Sequence, residues 1–210
     1  MNKKKSILES NVLYTIIAII AGFLIGAIFL MIAGISPAVA YGKLFSSIFS
    51  KPKYLVWTLV YASPLIFTGL SVAFSFRTGV FNIGAEGQFV IGGLVACVLG
   101  IVLDLPPVIH AIVCLVAAAA AGCIWSLIVG VLKVKRGHEV LSFIMFNWIA
   151  FYLSNYVVNL PEIHRESSEA TRDIASSARI LLPSGLQKAL DCNAAHWGIV
   201  FAIIAAIVIW

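Results

Sequence analysis

Five long apolar runs constrain what this chain can fold into more than any other feature of its sequence. They cover residues 12–33, 54–76, 88–103, 108–132 and 141–158. Each approaches the ~20 residues that an α-helix, rising 1.5 Å per residue, needs to cross the hydrocarbon of a bilayer. Only 11% of the 210 residues are charged, against about 25% in soluble domains. The sequence therefore predicts an all-α, polytopic transmembrane helix bundle with five full spans.

A sixth apolar run begins at Gly198 and reaches the last residue of the sequence after 13 residues. This length is too short to cross a bilayer as a helix. We therefore expect a truncated sixth span, and we expect residues 1–210 to be the N-terminal part of a single transmembrane domain. The basic tail, the first apolar run and the Ala38-Val39-Ala40 triplet resemble a cleavable signal peptide. The run is about 22 residues long, whereas the apolar region of a signal peptide has 7–15, so we expect a retained first helix.

The basic residues give a prediction of the orientation. With the N-terminus inside, seven Lys and Arg lie on each side of the membrane, so their number alone does not decide. Those of the N-terminal tail and of residues 133–136 are concentrated in short segments near span ends, where basic residues have most influence on orientation. We therefore predict a multi-pass membrane protein with a cytoplasmic N-terminus. A nucleic-acid partner is not expected, since the basic residues flank the spans instead of clustering with aromatic residues.

A polar, glycine-rich segment separates the second and third apolar runs. Residues 75–88 contain three glycines together with Asn82, Glu86 and Gln88. Irregular backbone is tolerated at membrane depth only where protein or a watery cavity satisfies its polar groups. Two interpretations stay open for residues 77–88, a re-entrant element and a short cytoplasmic loop with a solvated Glu86.

Residues 159–196 form a long polar segment after the fifth run. They contain five acidic residues, four Lys or Arg, and Pro183 and Gly185, which interrupt any long helix. A segment of this composition cannot lie in lipid, so the orientation above predicts that residues 159–196 form an external loop.

Two sequence motifs resemble the permease subunits of bacterial nucleoside-type ABC importers, relatives of the ribose-type sugar permeases. The first is PLIFTGLSVAFSFRTGVFNIGAEGQ at residues 64–88, and the second is GHEVLSFIMFNWIA at residues 137–150. Their order and separation agree with that family, and the resemblance covers essentially the whole chain. The chain departs from the family's pattern at His138, where many relatives have Asn.

The resemblance implies a translocation subunit of the bacterial cell membrane without enzymatic activity, whose expected substrates are nucleosides or related sugar-containing solutes. It implies three protein partners, which are a cytoplasmic ATPase, a second permease subunit and an external substrate-binding lipoprotein, besides membrane lipid. No cofactor and no metal site are expected, because the sequence has no phosphate-binding GxxxxGK[ST] loop and no metal-ligand spacing.

Two groups of candidate functional residues follow. Amides and a carboxylate are costly in lipid, so we expect the first group to lie in the bundle interior, either along the substrate path or as hydrogen-bonding links between helices: Asn82, Glu86, Gln88 and Asn147. For the second group we expect a short helix within residues 133–142 that couples the permease to its ATPase: Lys135, Arg136, Gly137, His138, Glu139 and Val140.

Two other classes of function compete with the permease interpretation. A secondary transporter would carry ionisable residues inside its spans, and the only candidates are Glu86 and His110. A membrane assembly protein without transport activity is the other alternative. We further expect part of residues 159–196 to dock the external lipoprotein, with a loop that has no partner as the alternative.

Overall fold

The computed structural model describes residues 11–135 and 137–209, except for the side chains of Asn11 and Val12. The predictions that concern Lys3, Lys4, Lys5 and Arg136 lie outside the described residues. The helices of the described part are α1 (Asn11–Ile32), α2 (Pro37–Ser50), α3 (Pro52–Arg77), α4 (Ala85–Val102), α5 (Ile109–Val134), α6 (Glu139–Val158), α7 (Ser184–Ala189) and α8 (Gly198–Ile209). A 3-10 turn covers Ser176–Ala178, and no β-strand occurs in the ranges described.

The prediction of an all-α polytopic bundle is confirmed. Five helices of the described chain, α1 and α3 to α6, are long and apolar enough to cross a membrane. Their large apolar side chains are mostly exposed, as with Phe29, Leu65 and Val134. Exposure of this extent is unfavourable in water, but hydrocarbon solvates such side chains without cost.

The chain divides into two compact units, Met1–Leu55 and Val56–Trp210. In the first unit, α2 folds back against α1. The Tyr41 hydroxyl donates to the carbonyl of Phe23 at 2.7 Å, and the Phe23 ring packs against the rings of Tyr41 and Phe45. Gly26 makes room for this contact, because a Cβ there would lie 2.7 Å from the Tyr41 hydroxyl.

Sequence analysis did not predict α2. Its 14 residues are too few for a span, and its serines and Lys43 are typical of a connecting loop. The periodicity nevertheless fits an amphipathic helix, with Pro37 at the first helical position, where a missing backbone N–H costs nothing.

In the second unit, α4 packs along both α5 and α6. Small residues bring the helix backbones close together. A Cβ on Gly92 would lie 3.1 Å from the Ala118 carbonyl oxygen, and one on Gly122 would lie 3.4 Å from the Gln88 carbonyl oxygen. Close approach of this kind supplies the packing attraction that holds helices together in lipid.

Two helices begin earlier than the apolar pattern predicts. Helix α4 begins at Ala85 and α6 at Glu139, so that Glu86 and Glu139 each lie in a first turn, where the helix dipole favours a carboxylate. The expected short helix within residues 133–142 is not formed as a separate element. Helix α5 continues to Val134, and Val140 belongs to α6, so the two long helices and the turn at Gly137 take up this segment.

Residues 159–196 pack on the end of the second unit where α4 ends and α5 begins, here called the loop end. The Ala175 amide donates to the Gly100 carbonyl at 2.9 Å. His110 is fully buried, with Nδ1 2.8 Å from the Ser177 hydroxyl and Nε2 3.1 Å from the Leu99 carbonyl oxygen. One ring nitrogen of His110 thus holds this segment in place, and the other joins the start of α5 to the end of α4.

The opposite end of the second unit, here called the hairpin end, contains the turn between α5 and α6. Gly137 lies in this turn, and its amide donates to the Leu132 carbonyl at 2.9 Å. A Cβ on Gly137 would lie 2.8 Å from that same oxygen, so the tight turn after the C-terminus of α5 requires glycine.

Candidate functional site

Residues 78–84 connect α3 to α4 and form the polar centre of the second unit; we call them the central turn. Asn82 holds its shape. The Asn82 side-chain oxygen accepts from the Gly84 amide at 2.9 Å, and its side-chain nitrogen donates to the Ser75 hydroxyl at 3.3 Å. The side chain is 3% exposed. When the side chain of an Asn accepts from the amide two residues later, it gives that amide the hydrogen bond that a regular helix or strand would otherwise supply.

Asn147 of α6 fixes the start of α4. Its side-chain nitrogen donates to the Ile83 carbonyl at 3.0 Å, and its side-chain oxygen accepts from the Gly87 amide at 3.0 Å. The first amides of a helix lack intrahelical acceptors, and Asn147 supplies one of these from another helix. A Cβ on Gly87 would lie 2.7 Å from the Asn147 side-chain oxygen, so this contact depends on glycine.

Gly84 allows a second close contact between the central turn and α6. A Cβ at this position would lie 2.2 Å from Cδ1 of Phe143, and Phe143 is itself buried. The ring of Phe143 therefore packs directly on the backbone of the central turn.

The first turn of α4 lies beside the middle parts of α5 and α6. Gly87 contacts Asn147, which lies eight residues after the start of α6 at Glu139 and hence about 12 Å from it. On the other side, the Gln88 carbonyl meets Gly122, near the middle of the 26 residues of α5. The central turn therefore runs from the hairpin end towards the middle parts of α5 and α6.

The second half of the central turn satisfies the rule for irregular backbone in membranes, whereas Thr78, Gly79 and Phe81 are exposed. Gly84, Ala85 and Gly87 are all buried, and the side chains of Asn82 and Asn147 bond the backbone around them. Such backbone is tolerated at membrane depth where protein surrounds it.

Glu86 and Gln88 point into different grooves. Glu86 is exposed and lines a groove of about 370 Å³ together with Ile144, Asn147, Trp148 and Phe151. Gln88 is half-buried, and its side-chain nitrogen lies 3.5 Å from the Asn82 side-chain oxygen. It lines a second groove, of about 200 Å³, with Thr68 and Ser71 of α3 and Gly122 of α5.

The hairpin end anchors the other side of the central turn. The Glu139 carboxylate accepts from the Phe81 amide at 3.0 Å and forms an ion pair with Lys133. The Lys133 ammonium group donates to the Gly79 carbonyl at 3.2 Å. Gly79 has a φ of +78°, a backbone conformation that glycine adopts without strain.

Of the predicted coupling residues that the structure describes, Glu139 contacts the central turn. The side chains of Lys135, His138 and Val140 are exposed at the hairpin end. Glu139 of the coupling group thus contacts the first half of the central turn, and Asn147 of the path group contacts its last residues.

Sequence analysis missed several residues that build this site: Ser75, Lys133 as the partner of Glu139, Phe143, Trp148 and Phe151. The spacing of Asn82 and Gly84 is a recognisable turn pattern. No comparable pattern marks Lys133 or Phe143, since each contacts residues more than fifty positions away in the sequence.

Comparison with known proteins gives one family match. The family described as "Branched-chain amino acid transport system / permease component" matches residues 54–210, which include the central turn and both ends of the second unit.

Several curated proteins are similar to the chain over most of its length. It is 39% identical to the guanosine ABC transporter permease protein NupP of Bacillus subtilis (strain 168) over 202 residues, covering 96% of this chain and 57% of that protein. It is 28% identical to the nucleoside ABC transporter permease protein NupB of Lactococcus lactis subsp. cremoris over 203 residues, covering 94% of this chain and 56% of that protein.

A third relative is the glucose ABC transporter permease protein TsgB13 of Haloferax volcanii, 29% identical over 202 residues, with 91% of this chain and 52% of that protein covered. The chain therefore spans about half the length of the curated relatives that it matches. No solved structure matches it significantly.

Proposed function

Because the chain belongs to the family of branched-chain amino acid transport system permease components, we propose that it acts as the membrane-spanning permease subunit of an ATP-driven importer. In this role it forms a translocation path and catalyses no reaction, and ATP is hydrolysed by a separate protein. The observation that carries the proposal is the start of α4 beside the middle parts of α5 and α6, surrounded by the carboxamides of Asn82 and Asn147. Transporters that interrupt helices near the middle of the membrane bind their solutes at such places.

The proposed substrates are nucleosides or related sugar-containing solutes. Relatives with 28–39% identity are named as guanosine, nucleoside and glucose permeases. These solutes are rich in hydroxyl groups, which need hydrogen-bonding partners along an apolar bundle.

Glu86 and Gln88 are the members of the predicted path group best placed to meet a solute. Each lines a groove, and Glu86 forms no hydrogen bond or ion pair with other residues of the described chain. Asn82 and Asn147 already bond the backbone, so their contribution is to hold the path in shape. Transport at the wild-type rate by a normally folded Glu86→Gln protein would exclude a role for that carboxylate.

The direct test of the function is uptake of radiolabelled guanosine, uridine and ribose by cells with and without this gene, complemented by the full-length gene. We expect uptake of at least one of these solutes to depend on the gene and on cellular ATP. Uptake that persists when ATP is depleted but a proton gradient is maintained would favour a secondary transporter instead.

The hairpin end is the proposed contact for the cytoplasmic ATPase. Its exposed side chains are basic or apolar, Lys135, His138 and Val140, and an exposed apolar residue such as Val140, 42% exposed, fits a groove on a partner. Gly137 completes the proposed surface, and the coupling role of Arg136 stays a prediction outside the described residues. Glu139 would pass motion from that surface to the central turn through its bond to Phe81.

Substitution of Val140 by Asp tests the ATPase contact without removing the Glu139 links. We expect less ATPase to co-purify with the permease, while the amount of permease in the membrane is unchanged. Leu186→Asp is the matched control, since Leu186 is similarly exposed on α7 at the loop end. Equal co-purification with both variants would contradict the assignment.

The segment of residues 159–196 is the proposed contact for the external substrate-binding lipoprotein. Its base is packed on α4 and α5 through Ala175 and Ser177. Residues 166–170 are exposed throughout and lie between the Arg165 amide and the Ala170 carbonyl, which are joined by a 3.0 Å hydrogen bond. This tip is the part of the segment that can meet a partner without unfolding.

Replacing residues 166–170 by a Gly-Ser linker tests this contact. We expect lipoprotein-dependent uptake to fall while the permease stays in the membrane. Unchanged uptake would show that the tip has no docking role. Lys188→Ala, an exposed change on α7, serves as the control.

A second permease subunit would complete the path. The chain is also 36% identical over 105 residues to the guanosine ABC transporter permease protein NupQ of the same Bacillus subtilis strain, covering 49% of this chain and 33% of that protein. Whether the pair contains two copies of this chain or two different permeases is decided by co-purification of two differently tagged copies.

A further inference from the structure

We propose that the groove beside Glu86 is a binding site for the planar base of a nucleoside, with Trp148 and Phe151 as the stacking surface and Glu86 as the hydrogen-bond acceptor. The inference rests on the proposed transport function and adds to it the place where the base of the solute binds and two residues that bind it. It is carried by four observations, which concern the aromatic residues, their depth, the carboxylate and the size of the groove.

The aromatic residues form one cluster on α6. Trp148 stacks on Tyr152 with ring centroids 6.1 Å apart and an interplanar angle of 28°. Phe151 meets both rings edge-on, at 6.1 Å from Trp148 and 5.5 Å from Tyr152. Contacts with neighbouring rings restrict the orientation of Trp148, which is still 57% exposed. A restrained, exposed ring face is what a planar base requires for stacking.

The depth of Trp148 argues against a role as a membrane-interface anchor. Trp and Tyr are enriched where membrane helices meet the head groups, but Trp148 is the tenth of the 20 residues of α6. It lies next to Asn147, at the depth where α4 begins. An exposed indole in the middle of a span is therefore better explained by a solute or protein contact than by the lipid interface.

The Glu86 carboxylate sets the polarity of the groove. It lines the same groove as Trp148 and Asn147, and in the described chain it has no ion pair or hydrogen bond. A carboxylate at this depth is costly when it faces hydrocarbon, so this side of α4 and α6 must face water or protein. Acceptor oxygens match the N–H groups of a base and the hydroxyl groups of a ribose.

The groove has the size of a small-molecule site. Its volume of about 370 Å³ is within the usual range of ~300–1,000 Å³ for ligand pockets. Its lining joins two aromatic rings and Ile144 to one carboxylate and one carboxamide. Small-molecule sites combine a mostly apolar lining with a few polar groups in this way.

Transport measurements with ring-altering variants of the full-length importer test the stacking role. We expect Trp148→Leu, which keeps an apolar side chain without a ring, to lower the rate of labelled guanosine uptake about tenfold at a subsaturating concentration, since stacking of one base contributes on the order of 1–3 kcal/mol. Trp148→Phe should retain most of the uptake. Tyr156→Ala, which removes an exposed ring outside the groove, is the control and should leave uptake unchanged.

A second measurement keeps the proposal testable if the Trp148 variants fail to insert. A Cys at position 144 (Ile144→Cys), which lines the groove without belonging to the stacking surface, should react with a small, water-soluble thiol reagent above the level of the parent chain, and guanosine should slow the reaction while ribose should not. Failure to react would show that lipid or another helix fills the groove. Reaction that guanosine does not slow would show an aqueous groove without base binding. Either result would overturn the proposal.

The outcomes separate this inference from the proposed function. If the wild-type importer carries ribose but not guanosine or uridine, the transport function holds and the base-stacking site is wrong. If Trp148→Leu and Trp148→Phe take up guanosine equally fast, the ring is not used and the site is again wrong. If the wild-type protein supports uptake of no nucleoside or sugar, the proposed function fails, and this inference fails with it.

Discussion

At the scale of single residues, Asn147 makes the contact on which most of the site depends. One carboxamide satisfies both the Gly87 amide and the Ile83 carbonyl. We expect Asn147→Ala to destabilise the protein by about 2 kcal/mol or more, because both backbone groups would be left unpaired in a partly buried position. The midpoint of thermal unfolding in detergent measures this loss.

Asn155→Ala is the matched control for Asn147→Ala. Asn155 lies on the same helix and is exposed, so its removal should leave the unfolding midpoint nearly unchanged. Equal midpoints for the two variants would mean that the Asn147 hydrogen bonds contribute nothing to stability.

Gly84 gives a second prediction at this scale. We expect Gly84→Ala to destabilise the protein by about 1–3 kcal/mol, since the new Cβ overlaps the buried ring of Phe143 and overpacking has costs of this order. Gly130→Ala, where a Cβ meets no atom within 4 Å, should be neutral or slightly stabilising. Thermal unfolding of both variants compares them, and an unfolding midpoint for Gly84→Ala at or above the wild-type value would contradict the close contact.

At the scale of secondary-structure elements, the central turn is held at both of its ends by other helices. The Glu139 carboxylate and the Lys133 ammonium group hold its first half, and Asn147 holds the start of α4. Helix α4 therefore cannot shift along α6 unless these bonds break or move with it. These hydrogen bonds connect the hairpin end with the start of the helix that carries Glu86.

Loss of the Glu139 links should loosen the first half of the turn. In Glu139→Ala we expect faster hydrogen exchange at residues 78–83, because the Phe81 amide loses its acceptor and Lys133 loses its ion-pair partner. Local opening of this kind is what amide exchange detects. Lys135→Ala is the control, since Lys135 is exposed at the same end. Identical exchange in both variants would contradict the link.

At the scale of the whole molecule, the second unit has two chemically different ends. The hairpin end carries Lys133 and Lys135, whereas the loop end is covered by residues 159–196 with their five acidic residues. Basic residues near span ends favour the cytoplasmic side. The proposed orientation therefore places the hairpin end in the cytoplasm and the loop end outside.

Labelling with a membrane-impermeant thiol reagent tests this orientation in intact cells. We expect His138→Cys to react only after the membrane is opened and Ser168→Cys to react in intact cells; both side chains are exposed. The parent chain, with its own four cysteines, gives the background. Reaction of His138→Cys from outside would reverse the orientation and remove the proposed ATPase contact.

The sequence by itself determined the number of long spans and their positions to within a few residues. The hydrophobicity of a span is a property of its own residues. A run of about 20 apolar residues therefore predicts a membrane-crossing helix without any knowledge of the helices that pack against it. The polar segment of residues 77–88 was likewise recognisable, because Asn82, Glu86 and Gln88 interrupt otherwise apolar sequence. The amphipathic helix α2 was missed, since its 14 residues are too short for the length criterion.

Only the tertiary structure decided the depth and partners of the central turn. The bonds from Asn147 to Gly87 and from Glu139 to Phe81 join residues about sixty positions apart, and no local pattern encodes such a pairing. The same holds for the contact of Gly84 with Phe143 and for the groove that Glu86 shares with Trp148. Local sequence sets which residues form helices, but the packing of those helices sets where α4 begins and which side chains meet there.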